Sequence, residues 1–398
     1  MSWKETCRVD ERERFVKRYE ETGAMSALCR EFGISRKTGY KWAGRYFELG
    51  AAGLVDRPHR PHSSPTAIDP GLADALVGAR KRYPFWGPRK LRAFLVTHNP
   101  EIELPAPSTI GEIFRRHGLL RPRKRRRVAP PATQPFGDCT QPNDLWCTDF
   151  KGHFPVGDGL RCHPLTISDA MSRFLVRCDG VTSPDEPTVR PIFESAFREF
   201  GLPSAMRSDN GPPFASTALG RLSRLSVWWV RLGIRLERIE PGHPEQNGRH
   251  ERMHRTLKQE TASPPEVNLS RQQRSFDRFR HRYNDERPHE ALGQVTPASV
   301  YAPSPRLFPS KLPELEYPDG FELRRVQHNG TFRWRSHSVF LTNCLENETV
   351  GLQEIDLHRW QVHFGSILLG VLDDRSAPPR LIVPRTKKTK ELSPMSSV

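Results

Sequence analysis

Apolar positions divide the chain in two. Up to roughly residue 120 they recur at the three- and four-residue steps of a helix, and from Asp144 onward they gather into short runs parted by turn residues. Residues 11–21 hold no Pro or Gly and predict a helix. Ser26 through Phe32 predicts another, with Ser26 as cap and Leu28 and Phe32 one turn apart. Gly33 stops it, Ile34 turns inward, and Ser35 caps a third helix over 36–42. In a helix-turn-helix the second of two such helices enters the major groove by its N-terminal residues. Ser35, Arg36, Lys37, Tyr40 and Lys41 would then face DNA, while Ile34 and Trp42 face the core. The alternative is an ordinary three-helix domain with a solvated basic face.

After a Pro-rich break at 57–65, residues 88–95 predict a basic amphipathic helix. Residues 108–117 predict a second, capped by Ser108, stopped by Gly118, and apolar at Ile110, Ile113 and Phe114. This piece is either a second helix-turn-helix or a structural helical domain.

Beyond Asp144, runs at 145–150, 162–168 and 173–178 predict a three-strand meander. A helix over 189–200 follows, with Ile192, Phe193, Ala196, Phe197 and Phe200 on one face, ended by Gly201 and Pro203. A strand at 204–208 delivers Asp209 into an Asn210-Gly211 turn. Then come a helix with Leu222, Leu225, Trp228 and Trp229, and a strand at 234–239. The order predicts a mixed sheet of five strands with helices on its faces.

Asp149 and Asp209 each end a strand, where sites gather in α/β sheets. Holding two divalent cations against a phosphate substrate calls for a third acid, and two glutamates compete. Glu245 precedes Gln246-Asn247-Gly248 and falls on a loop. Glu251 opens a helix over 249–260 whose buried stripe is Met253 and Leu257. Glu251, His254, Arg255 and Lys258 share another face, a carboxylate beside three basic groups, suited to a metal ligand next to a phosphate track. A Glu in the first turn also simply stabilises a helix N-terminus.

Past a Pro-rich stretch from Tyr301 to Pro318, Asn329-Gly330 marks a hairpin. Phe332, Trp334, Ser336, Ser338 and Phe340 alternate with other residues, and short strands follow near Val350 and Trp360. The pattern predicts a small β-barrel, or a plain structural β domain. The domain plan is therefore 1–57, 66–120, a basic Pro-rich linker at 121–142, a core at 143–300, a β domain at 319–375, and a polar basic tail at 376–398.

Charge sharpens the picture. The 398 residues carry 62 Lys and Arg against 46 Asp and Glu, a formal net of +16. Residues 1–140 hold 27 basic and 15 acidic residues, so most of the excess lies at the front, which points to a polyanion partner such as nucleic acid. Six of the seven residues from Arg121 to Arg127 are basic; Arg123, Lys124, Arg125, Arg126 and Arg127 form either a solvated linker or a track along phosphates. Seven scattered cysteines without a CxxC pair argue against a disulfide framework and a four-cysteine zinc site. The lack of a bilayer-length apolar run or a signal-type start predicts a cytoplasmic, DNA-associated protein without membrane contact.

At Trp146-Cys147-Thr148-Asp149-Phe150, Ser208-Asp209-Asn210-Gly211, Pro244 through Lys258 and Tyr283 through Leu292, the chain resembles DDE-class insertion-sequence transposases with a retroviral-integrase-type core. The resemblance implies a ribonuclease H-like core over 143–300. It implies Asp149 and Asp209 as the first two acids, Mg²⁺ or Mn²⁺ as cofactor, two ions per site, and a homo-oligomer on double-stranded DNA. Many members leave 35 residues between the second and third acids, which lands on Glu245. The local motif instead puts the acid inside the helix after the Pro-x-x-x-Gly turn, which is Glu251, with 41 residues between it and Asp209. The His/Cys zinc module of retroviral integrases has no counterpart here; helical modules replace it. The C-terminal piece is similar to the small barrels of integrases. The function implied is binding element ends, cleaving DNA and joining the 3′-hydroxyl to target DNA by two-metal phosphoryl transfer. The rivals are a catalytically decayed helix-turn-helix regulator and a ribonuclease H-like nuclease without strand transfer.

Overall fold

A computed structural model describes residues 7–56, 67–120, 139–238 and 248–383. The chain divides into two compact units, Met1–Ala73 and Asp74–Val398.

The first unit contains α1 (Arg8–Thr22), α2 (Met25–Glu31) and α3 (Arg36–Leu49). Phe15, Val16, Met25, Leu28, Cys29, Trp42, Ala43 and Leu54 form its core. Ser35 caps α3 as expected, its side chain accepting from the Thr38 amide. Ser26 does not cap α2. Gly23 ends α1 at φ 65° and the buried Met25 already starts α2, so Ala24 is the cap position. Gly39 sets how closely the helices cross: a Cβ there would lie 2.7 Å from both Cys29 Sγ and Met25 Sδ. Arg12 staples the unit, donating to the Leu54 carbonyl at 2.7 Å, pairing with Asp56 at 2.9 Å and lying 3.7 Å over the Trp42 ring.

The second unit opens with the helices α4 (Pro70–Arg82, mostly within it), α5 (Pro88–His98) and α6 (Pro107–Arg116). On α6, Ile110, Ile113 and Phe114 are buried as predicted, but Pro107 occupies the first turn and Ala106, not Ser108, is the cap position. These helices and the following core are one compact body, where the sequence reading separates them. Tyr83 donates to Glu286 at 2.9 Å, Lys90 to the Pro288 carbonyl at 2.6 Å, and Arg89 pairs with Glu290.

The core sheet is built from β1 (Leu145–Phe150), the two-residue β2 (Phe154–Pro155), β3 (Arg161–Asp169), β4 (Leu175–Val181), then α7 (Glu186–Phe200), β5 (Ala205–Ser208), α8 (Arg224–Arg231) and β6 (Arg235–Arg238). Its order is β4-β3-β1-β5-β6, with β2 pairing the start of β3. β3 runs antiparallel to β1 and β4, while β1, β5 and β6 run parallel. This is the mixed five-strand sheet that was expected, with one short extra strand. Asp185 caps α7 and Gly201 ends it. Trp146, Phe193, Phe197, Phe214 and Trp229 anchor the core between the sheet and α7 and α8.

Two more helices, α9 (Gly248–Thr261) and α10 (Leu269–His281), cover β3 and β4 through Met253, Leu257, Phe276 and Phe279. Residues 301–312 are not a free spacer. Arg306 donates to the carbonyls of Pro203, Leu232 and Gly233, and Phe308 and Leu312 join the core.

The C-terminal part holds β7 (Phe321–Arg325), β8 (Thr331–Trp334), β9 (His337–Phe340), β10 (Thr349–Asp356), β11 (Arg359–Phe364), β12 (Ile367–Asp373) and β13 (Arg380–Ile382). Five of them form an antiparallel sheet in the order β13-β12-β11-β10-β7, and β8 and β9 are a separate hairpin. Among the described residues the sheet's edges stay unpaired with each other, so the expected barrel is not closed. The predicted alternation breaks at Arg335, whose φ of 53° turns the chain, and burial changes parity from Phe332 and Trp334 to Val339 and Leu341. β13 also brings residues assigned to the tail into the sheet. This β part packs on α8 through Val227 and Val230, beside an Arg231–Glu348 pair at 2.7 Å.

Candidate active site and nucleic-acid interface

Parallel pairing brings the two aspartates together. β1 and β5 are in register at Cys147↔Arg207. Two residues beyond that pair, Asp149 stands on β1 and Asp209 directly follows the end of β5, at the C-terminal ends of neighbouring strands. Neighbouring strands lie about 4.8 Å apart, and paired residues project to one face. Half-buried Asp209 also accepts from the Gly211 amide at 3.2 Å. Burial pushes its carboxyl above the ordinary value, and that bond offsets part of the rise.

On the other side of β1, Asp149 pairs with Thr166 of β3. The Thr166 hydroxyl donates to the Asp149 carbonyl at 3.1 Å and meets Nε2 of His250 at 2.6 Å and of His254 at 2.7 Å. Both histidines belong to α9, so the helix that carries Glu251 is fastened where Asp149 ends its strand. His254 Nδ1 lies 3.9 Å from Asp149 Oδ2. Burial pushes His250 down to about 4 and His254 further still, so both imidazoles are neutral near pH 7.

His254 therefore does not face phosphate. It is 3% exposed, and the buried stripe of α9 is His250, Met253, His254 and Leu257. The reading of the stripe from Met253 and Leu257 alone left the i, i+4 histidines outside it, because polar side chains on a charged helix look solvated. Glu251, Arg255 and Lys258 are exposed, outside that stripe. The missed participants are His250, Thr166 and Ser168, whose hydroxyl lies 3.3 Å from His250 Nδ1. Their one sequence signal is that histidine pair flanking Met253.

The donor set of Asp149 and Asp209, oxygen only, suits a hard divalent cation. Among the described residues no group of three or more His, Cys, Asp or Glu is gathered to hold a metal. Glu245 and Arg123 to Arg127 lie outside the described residues. On α3, Ser35, Arg36, Lys37, Tyr40 and Lys41 are all exposed, opposite the buried Gly39, Trp42 and Ala43. Among the described residues no helix is long and apolar enough to cross a membrane.

Two integrase core domain families match, at residues 139–244 and 232–297. A helix-turn-helix domain family matches 11–62, and a homeodomain-like family 38–114. The chain is 28% identical over 254 residues to an insertion element IS476 protein of 39.2 kDa from Xanthomonas euvesicatoria, covering 63% of this chain and 70% of that one. It is 27% identical over 195 residues to an insertion element IS407 protein from Burkholderia multivorans, covering 48% and 68%. It is 39% identical over 119 residues to the Gag-Pol polyprotein of baboon endogenous virus, covering 30% and 6%. Among solved structures, the HTLV-2 integrase catalytic core domain in complex with magnesium overlays at a TM-score of 0.32 and 16% identity, covering 40% and 97%. A chain from the simian T-cell lymphotropic virus intasome in complex with a PP2A regulatory subunit overlays at 0.37 and 15%, covering 77% and 95%.

Proposed function

We propose that this chain, which carries the integrase core and helix-turn-helix domains of an insertion-sequence transposase, binds the ends of a mobile element, cuts a phosphodiester bond there and joins the freed 3′-hydroxyl to target DNA. One observation carries the reading: Asp149 and Asp209 stand at the C-terminal ends of the adjacent parallel strands β1 and β5, and α9, which bears Glu251, is hydrogen-bonded beside Asp149. Asp149 and Asp209 would supply carboxylate oxygens to a pair of Mg²⁺ or Mn²⁺ ions, and Glu251 would complete the set. Bound there, the ions would activate the attacking water or hydroxyl and stabilise the leaving oxygen. Arg255 and Lys258, exposed on the same helix, hold the DNA backbone beside the acids. Ser35, Arg36, Lys37, Tyr40 and Lys41 read the element ends, and the 123–127 run adds contacts that do not depend on sequence. Both ends must be held at once, so the working form is a multimer on double-stranded DNA.

The test uses oligonucleotides of the element's own ends with Mg²⁺. Asp149→Asn, Asp209→Asn and Glu251→Gln should each abolish cleavage while leaving end binding intact. Full activity in any one removes that residue from the site. A pre-cleaved end that yields no strand-transfer product alongside active cleavage makes the chain a nuclease; end binding without any cleavage makes it a regulator.

A further inference from the structure

Thr166 is fully buried on a central strand, a place where valine would satisfy strand preference equally well. Its hydroxyl is what the surroundings use. We infer that Thr166 is a positioning residue for the third acid: its hydroxyl clamps α9 to the strand beside Asp149 and so fixes the height and rotation of the helix that carries Glu251. The inference rests on the assignment of Asp149, Asp209 and Glu251 as the acids.

The hydrogen-bond count determines how the clamp works. Thr166 Oγ1 has one proton and two lone pairs. A carbonyl oxygen only accepts, so the 3.1 Å bond to Asp149 takes the proton. Both imidazoles must then donate from Nε2, at 2.6 Å from His250 and 2.7 Å from His254. His250 Nδ1 is left an acceptor, and the Ser168 hydroxyl at 3.3 Å supplies its donor. His254 Nδ1 is left without a proton toward Asp149 Oδ2, and their 3.9 Å separation is longer than a hydrogen bond. The two rings are edge to face, with centroids 4.5 Å apart. Two donors one helical turn apart on a single oxygen hold α9 against both sliding and rolling. Glu251, next in sequence to His250, is carried with it.

Thr166→Val keeps shape and strand preference but removes the acceptor. Misplacing a reacting group by about 1 Å costs roughly 100-fold in rate, so the full-length Thr166→Val protein should lose roughly that factor in kcat for Mg²⁺-dependent end cleavage. Its KM and Kd for end DNA should stay unchanged, and Thr166→Ser should restore kcat. A second readout needs no activity. In ¹⁵N-histidine NMR of the wild-type chain, both His250 and His254 should show the neutral Nε2–H tautomer, and Thr166→Val should shift both signatures together. Wild-type rings in the Nδ1–H form, or a Thr166→Val protein that cleaves like wild type, would overturn the clamp. Should Thr166→Val fail to fold, Thr166→Ser and the wild-type tautomers still decide it. A wild-type chain that shows the tautomers yet keeps full cleavage in Glu251→Gln upholds the clamp and sinks the acid assignment instead.

Discussion

Asn143 ties the start of β1 to residues 301 and 302, and substitutions there give a graded test. Its backbone sits at φ 69°, in the left-handed region. Its side chain is 7% exposed and makes three bonds: Oδ1 accepts from Trp146 Nε1 at 3.0 Å and from the Tyr301 hydroxyl at 2.9 Å, and Nδ2 donates to the Ala302 carbonyl at 2.8 Å. Alanine removes all three. The fully buried Trp146 indole then keeps an unpaired N–H, which costs about 1–3 kcal/mol, and the Ala302 carbonyl adds a similar but smaller amount. The left-handed backbone adds about 1 kcal/mol for alanine, because Asn tolerates that region as most residues with a Cβ do not. Asn143→Ala should therefore lose about 4 kcal/mol, and Asn143→Gly about 1 kcal/mol less, since glycine adopts that φ freely. Asn143→Asp keeps the acceptor but sets a carboxylate oxygen against the Ala302 carbonyl, so it should be no better than alanine. Hydrogen exchange read by mass spectrometry across a urea series resolves the β1 amides from the rest of a chain that has more than one unfolding unit. An Asn143→Ala protein within about 0.5 kcal/mol of wild type would refute the hydrogen-bond argument. A glycine variant less stable than the alanine one would refute the backbone argument.

Four further outcomes are expected. Alanine at Arg36, Lys37, Tyr40 and Lys41 should weaken binding to element ends more than to random DNA, by ~1–3 kcal/mol for each base the helix no longer reads. Neutralising Arg123 to Arg127 should weaken both alike and flatten the salt dependence; competition binding at two salt concentrations that finds the two sets indistinguishable ends that division of roles. Burial lowers His289 from 6.5 to about 3, so its contribution to stability is complete above pH 6.5 and is lost as pH falls toward 3. His289→Gln should flatten that acid limb in denaturation measured from pH 7 to 4, and an unchanged slope would show that the imidazole charges freely in the fold. Finally, Glu251→Gln should be inactive and Glu245→Gln active, because a helix holds a ligand more tightly than a turn; the reverse pattern moves the third acid to Glu245.

The sequence alone determined the local elements and the identity of the first two candidate acids. Helical spacing, the Ser35 cap, and Gly33 and Gly201 as stops act within a few residues, so they are readable from the chain. Asp149 and Asp209 each end a strand-like run, but that β1 pairs with β5 and brings those ends together is decided by the sheet. Tertiary structure decided what depends on partners distant in the chain. Whether His254 meets solvent or a strand depends on Thr166, 88 residues away, and the periodicity of α9 allowed either face. The Tyr283 to Leu292 segment enters the sequence reading only through the resemblance, yet its Glu286, Pro288 and Glu290 bind α5 and its neighbours, which join the helices to the core. The sequence reading of this helix names Leu222, Leu225, Trp228 and Trp229, yet α8 serves two cores: Trp228 and Trp229 face the mixed sheet, and Val227 and Val230 face the C-terminal sheet. The barrel expectation failed for the same reason. Alternation predicts strands, but which edge pairs with which is settled only by the turn at Arg335 and by the surface of α8 on which the sheet lies.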